Sequence, residues 1–219
     1  MDSIPGKVRS ELCETPAEEV ASSVTHGIGV LLSVVALVYM LIFSVGDVYK
    51  VVAASVFGAS LIALYLSSTL YHSFSRPRLK AFFQCLDHSC IYLLIAGSYT
   101  PVTLINLRGA WGWSLLSVVW GLALSGVIIK MVIKGKKDSW VSTAIYIIMG
   151  WLVVVAAGPL IRSMEPGGIA LLVAGGLCYT LGVGFFLWEK LKFNHAIWHL
   201  FVLAGSACHV LAMLFYTFR

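Results

Sequence analysis

Seven long apolar runs divide this 219-residue sequence, at about 23–45, 51–72, 85–106, 110–133, 139–161, 167–188 and 195–217. An α-helix needs about 20 apolar residues to cross the hydrocarbon core of a bilayer, so each run is long enough for one crossing. The runs are too long for the strands of a membrane barrel and lack their alternation. The chain is therefore expected to be an all-α membrane protein, a seven-transmembrane helix bundle. Its 59% hydrophobic and 11% charged residues contrast with roughly 45–50% and 25% in soluble domains. The connections are short, so residues 23–219 are expected to form a single domain behind a short tail, residues 1–22, with a helix-compatible segment along the interface. That tail carries Glu11, Glu14, Glu18 and Glu19, a poor charge pattern for a signal peptide, so the first run reads as a retained span.

The loop charges predict an orientation. Eleven basic residues fall on one side (Lys7, Arg9, Arg76, Arg78, Lys80, Lys130, Lys134, Lys136, Lys137, Lys190 and Lys192) and four on the other (Lys50, Arg108, Arg162 and Arg219). The excess of Lys and Arg on cytoplasmic loops then places the N-terminus in the cytoplasm and the C-terminus outside. The five cysteines, Cys13, Cys85, Cys90, Cys178 and Cys208, are odd in number and lack C-x-x-C spacing, so no disulfide framework is implied. There is no internal repeat, no phosphate-binding glycine loop and no basic stripe suited to nucleic acid.

Ionisable residues inside a bilayer are costly and usually mark a site, which directs attention to a few positions. His195 and His199 are four apart and share one helical face, as a pair of ligands for one metal ion would; two interfacial histidines at a polar helix end is the alternative. Ser68 and His72 share a face at the end of the second run. Ser68 either faces the same site or bonds back to the carbonyl four residues earlier. Asp87, at the start of the third run, either joins the site or pairs with Arg76, Arg78 or Lys80. His88 points about 100° away from Asp87 and is expected behind the ligands. His26 reads as an interfacial histidine bonded to the backbone or to Glu19. His209, ten residues beyond His199, lies about 15 Å deeper and reads as a buried, hydrogen-bonded histidine. Gly97 to Pro101 is expected to kink the third run, Gly158-Pro159 to break the fifth, and the glycines of the sixth to allow close helix packing.

The predicted topology brings His72, Asp87, His195 and His199 to the cytoplasmic side at similar depth. Three neutral imidazoles with an acidic neighbour suit Zn2+, and three protein ligands leave the fourth tetrahedral position to water, whose pKa such an ion can lower to about 7. Asp87 could bond that water and act as base, and Ser68 could orient it or a substrate carbonyl. Amide or ester cleavage at the cytoplasmic leaflet is the chemistry this set permits.

Glu19 with Thr25-His26-Gly27, Ser68-x3-His72, Asp87-His88, Ala96 to Pro101, and Asn194 to His199 together resemble the bacterial hemolysin III proteins, which belong with the progestin and adipoQ receptors. The resemblance covers nearly the whole chain from about Glu18. It implies a seven-helix bundle in the bacterial plasma (inner) membrane, with zinc on His72, His195 and His199, Asp87 reaching the metal through water, and Ser68 beside it. On so short a tail no soluble adaptor-binding domain is expected, and the partner is expected to be a membrane lipid or lipid-like substrate. Three functions stay open: a zinc-dependent, amidase- or ceramidase-like hydrolase, a membrane-state sensor or receptor with structural zinc, and a hemolysin or channel. The channel reading conflicts with the fourth and fifth runs, which offer almost no polar groups for a conducting path.

Overall fold

The computed structural model describes residues 15–132 and 140–219. The tail up to residue 14, with Cys13, and the basic positions Lys134, Lys136 and Lys137 lie outside the described residues. Seven helical crossings, each long and apolar enough to span a membrane, follow one another, and no strand occurs among the described residues. They are α1 (Pro16–Ile42), α2 (Val48–Ser73), α3 (Pro77–Pro101), α4 (Ala110–Val132), a fifth crossing made of α5 (Trp140–Trp151) and α6 (Ala157–Ser163), then α7 (Pro166–Phe186) and α8 (Asn194–Tyr216). The chain is a multi-pass membrane protein.

Local chemistry explains where the helices start. Thr15 caps α1 in a reciprocal box: its hydroxyl accepts from the Glu18 amide (3.4 Å), and its own amide donates to Glu18 Oε2 (3.0 Å). Pro16 occupies the first turn, where a missing N–H costs nothing. The helix thus begins at Pro16, and Glu18 to Ser22 are its opening turns, continuous with the crossing. Asp47 caps α2 through Oδ1, which accepts from the Tyr49 amide (2.9 Å) and the Lys50 amide (3.2 Å). Pro77 and Pro166 open α3 and α7 in the same way as Pro16. The third crossing therefore starts eight residues before the apolar run that announced it at 85, because a polar lead opened by Pro77 precedes the apolar stretch.

The two proline signals act differently from a simple kink. Pro101 ends α3, and residues Val102–Asn106 continue as a π-helical turn. Thr103 Oγ1 donates to the carbonyls of Tyr99 (2.9 Å) and Thr100 (3.1 Å), supplying donors where the helix ladder is disturbed. In the fifth crossing the break precedes Gly158-Pro159 by one turn: residues Leu152–Ala156 tighten into a 3-10 helix, since the proline removes a donor and crowds the carbonyl four residues before it. Tyr99 covers the break. Its hydroxyl accepts from the Val153 amide (2.8 Å) and is 2.8 Å from the carbonyls of Met149 and Gly150.

α1 packs on α2, α2 on α3, α3 on α4 and α7 on α8, α5 touches α3 and α7, and α1 also packs on α8, so α2 and α3 become the most enclosed crossings. Large apolar side chains such as Leu31, Val45, Val132 and Ile148 cover the outside, the surface a lipid environment requires. Trp111, Trp113 and Trp140 are exposed in the first turns of α4 and α5, where aromatic side chains suit the membrane–water interface. Close approach is bought at small residues: a Cβ on Gly97 of α3 would run into Ser60 of α2, and one on Gly175 of α7 into the ring of His209 on α8. Cys85, Cys90, Cys178 and Cys208 are free.

Because successive crossings alternate in direction, the start of α1, the end of α2, the start of α3 and the start of α8 meet at one end of the bundle. One more contact pins that junction. Phe193, which precedes α8, adopts a left-handed backbone (φ 58°), and its amide donates to Glu18 Oε1 (2.9 Å). Gly97→Val should therefore force α2 and α3 apart and destabilise the protein by about 1–3 kcal/mol, the usual cost of overpacking. A fluorescence-detected unfolding temperature well below that of the wild type in detergent would show it.

Candidate metal centre

His72 comes from the last turn of α2, and His195 and His199 from the first two turns of α8. One ring nitrogen from each lies within 4.8 Å of the others, the only such group of three possible metal ligands among the described residues. Ring centroids are 5.0 Å apart for His72 and His195, 5.2 Å for His72 and His199, and 4.6 Å for His195 and His199. These three residues could hold a metal ion.

The hydrogen bonds behind the rings favour that use. His72 Nδ1 is 2.8 Å from Glu19 Oε2 of α1, and an ionised carboxylate only accepts, so Nδ1 carries the hydrogen. His199 Nδ1 is 3.2 Å from the backbone carbonyl of Ser22, which fixes the same tautomer. In both rings the lone pair is then on Nε2, and both Nε2 atoms are buried with no hydrogen-bond partner. A ring that donates from one nitrogen to a carboxylate or carbonyl and keeps the other lone pair inward is the usual arrangement of a metal-binding histidine. The donor set therefore fits a divalent ion that accepts nitrogen ligands.

Glu19 is itself held. Its Oε1 accepts from Lys80 Nζ (2.6 Å), and Lys80, from the first turn of α3, is buried with its ammonium also over the Tyr71 ring. Arg76 and Arg78 remain exposed. This settles the alternative for Asp87: the buried lysine is committed to Glu19, and no salt bridge to Asp87 forms among the described residues. Asp87 is instead 3% exposed and lines a cavity. Ser68 does not bond back along its helix; Ser67 takes the Leu64 carbonyl (2.9 Å), while the Ser68 hydroxyl is buried beside the Asp87 carboxyl.

His26 departs from expectation. It is neither interfacial nor bonded to Glu19; it is 1% exposed, and its ring stacks on that of His199 with centroids 3.5 Å apart and planes 9° from parallel. The cause is the length of α1, which starts at Pro16 and so carries His26 nearly three turns into the bundle. His88 borders the same cavity as Asp87 and is outside the histidine triad. His209 is also outside it, with Nε2 donating to the Leu172 carbonyl (3.2 Å), as a buried, hydrogen-bonded histidine should.

The cavity, of about 140 Å³, runs along α3 from Asp87 to Tyr99, roughly 18 Å at 1.5 Å per residue. Aliphatic and aromatic side chains such as Leu64, Ile91, Val183 and Trp198 form most of its wall. Glu19 is the residue whose part the sequence hid. A carboxylate at 19, a serine at 22 and a histidine at 26 share one face of a helix (i, i+3, i+7), and that spacing is the signal that points α1 at the site. Glu19→Ala is expected to weaken divalent-metal affinity 10–100-fold, the usual loss on removing such a partner, with Glu19→Gln recovering part of it; competition with a chelating dye reads both.

A profile of the Haemolysin-III related family matches residues 15–210. The chain is 52% identical over 201 residues to Hemolysin-3 of Bacillus cereus, spanning 91% of both chains. It is 47% identical over 204 residues to the Hemolysin-3 homolog of Bacillus subtilis (strain 168), spanning 92% of this chain and 95% of the relative. A more distant likeness, 32% over 180 residues, links it to the human monocyte to macrophage differentiation factor, across 79% of this chain and 74% of that one. A seven-helix bundle with three clustered histidines at one end thus belongs to the haemolysin III family.

Proposed function

We propose that this protein is a zinc-dependent hydrolase of a lipid-like amide or ester, with His72, His195 and His199 as the metal ligands. What supports the reading is a group of three convergent imidazoles, together with the buried Asp87, which has no salt bridge among the described residues, lies beside Ser68 one turn before His72, and lines an apolar cavity. Held by His72, His195 and His199, zinc would supply Lewis acidity and would make a water a stronger nucleophile. Asp87 accepts the proton of the attacking water at a carboxylate oxygen. As the water oxygen bonds to the acyl carbon, the C–N or C–O bond breaks, and Asp87 returns the proton to the departing nitrogen or oxygen. Ser68 Oγ orients the carboxylate, and Glu19 keeps the His72 ring in its tautomer. With the cytoplasmic orientation that the basic loops favour, products leave on the cytoplasmic side of the plasma membrane.

The contacts of the same site support a second reading, in which the metal is a staple. Ligands and their partners tie α1, α2, α3 and α8 together at one end, which is what a sensor or receptor with structural zinc would need. Among the described residues no observation favours a conducting path.

Inductively coupled plasma mass spectrometry of purified wild type, His199→Ala and Asp87→Ala, each also incubated with a panel of lipid amides and esters, separates the two. The hydrolase reading predicts about one zinc per wild-type chain, loss of zinc in His199→Ala, and in Asp87→Ala a rate lower by about 10²–10⁴ with zinc retained. Zinc without turnover of any lipid would favour the staple.

A further inference from the structure

The cavity that begins at Asp87 contains a polar group that this chemistry leaves unused. His26 borders the cavity, is 1% exposed, and has no hydrogen-bond partner for either ring nitrogen among the described residues. The ring is held in place. One face stacks on His199, with centroids 3.5 Å apart, and Tyr65 stands edge-on at 4.9 Å with its own hydroxyl bonded to Ser206 (2.7 Å). In either neutral tautomer one nitrogen of the imidazole bears a hydrogen and the other a lone pair. A fixed N–H donor thus borders an apolar chamber with no protein acceptor.

Buried polar groups are almost always paired, and an exception at an ordered position calls for an account. Packing alone gives none here, because a phenyl ring would stack on His199 equally well and leave no nitrogen unpaired. The chemistry of the surroundings defines what the donor would meet. Ionised Asp87 can only accept, so an oxygen atom bound in the cavity needs a donor, and His26 offers one whose ring nitrogens have no hydrogen-bond partner among the described residues. Beyond it, Leu64, Ile91, Leu94, Ile95 and Val183 suit an aliphatic chain.

We propose that His26 is the hydrogen-bond donor that positions the acyl oxygen of an aliphatic amphiphile in this cavity, at the end lined by Asp87. The inference rests on the hydrolase reading in so far as it makes the acyl group the part of the ligand that is held near the histidine triad. His26 is then a binding residue that orients the carbonyl and leaves the proton transfers to Asp87.

The test uses full-length protein in lipid nanodiscs and radiolabelled lauric acid, the inert product of cleaving a lauroyl amide or ester, so that binding is read without turnover. His26→Phe keeps a ring against His199 and removes both nitrogens; His26→Gln returns an N–H donor. The expected result is laurate binding weaker by about tenfold or more in His26→Phe, the loss of one hydrogen bond to a charged group, with partial recovery in His26→Gln. Metal content should stay at the wild-type value in both, and the unfolding temperature of His26→Phe should equal or exceed the wild type, so that weaker binding does not come from a weakened fold. Unchanged laurate affinity in His26→Phe, loss of binding only in step with loss of metal, or absence of saturable binding to the wild type would each overturn the proposal. The two readings fail separately: a wild type that binds laurate through His26 but cleaves no lipid retains the binding residue and loses the hydrolase. A wild type that cleaves lipid with laurate affinity indifferent to His26 does the reverse.

Discussion

The hydrogen bond from His72 to Glu19 is the contact on which this end of the molecule depends. In an apolar bundle an imidazole has few places to put its ring hydrogen, and a carboxylate is costly to bury alone. Glu19 answers both needs by bridging His72 of α2 and Lys80 of α3 from the first helix. The arrangement couples three helices through one side chain, and it fixes which nitrogen of His72 is left to bind. Breaking a buried ionic group by removing one member typically costs about 3–5 kcal/mol, because the other charge is left unpaired. The network therefore secures geometry as much as it stabilises the fold.

The rest of the bundle converges on that junction. Glu18, next to Glu19, holds the backbone just before α8 through Phe193, so the helix that supplies two histidines is tied to the helix that orients the third. Ser22, one turn on, orients His199 through its backbone carbonyl. The first helix thus contributes an orienting group to two of the three imidazoles without belonging to the triad. Deeper in the bundle the polar groups are absorbed by local bonds, as with Tyr99 at the break in the fifth crossing and Thr103 in the π turn. The site end differs in leaving Nε2 of His72 and Nε2 of His199 buried without hydrogen-bond partners among the described residues.

Much of this was legible in the sequence. Seven apolar runs specify seven crossings because hydrocarbon thickness sets helix length, and crossing parity places His72, Asp87, His195 and His199 at one end. The His-x3-His spacing translates directly into two rings on one helical face. What was not legible follows from side-chain competition in three dimensions. Asp87 had three cations within reach in sequence, and nothing local reveals that Lys80 is taken by Glu19 while Arg76 and Arg78 point outward. Ser68 and Ser67 have the same helical options, and only the packed bundle shows which of them turns to the backbone. His26 was misplaced because its depth depends on where α1 begins, which the Thr15 to Glu18 cap moves seven residues upstream of the apolar run. The proline breaks were anticipated in kind, and their form depended on which hydroxyls lay near enough to take up the freed groups.

The central proposal is that three imidazoles, two of them oriented by α1, coordinate zinc with a position left open. Zinc K-edge X-ray absorption of the purified protein in nanodiscs tests it most directly. The account predicts three imidazole nitrogens at about 2.0–2.1 Å with one oxygen completing the shell, and a spectrum altered when His72 is replaced by Ala. Sulfur scattering at about 2.3 Å, fewer than three imidazoles, or a spectrum indifferent to His72 would contradict it.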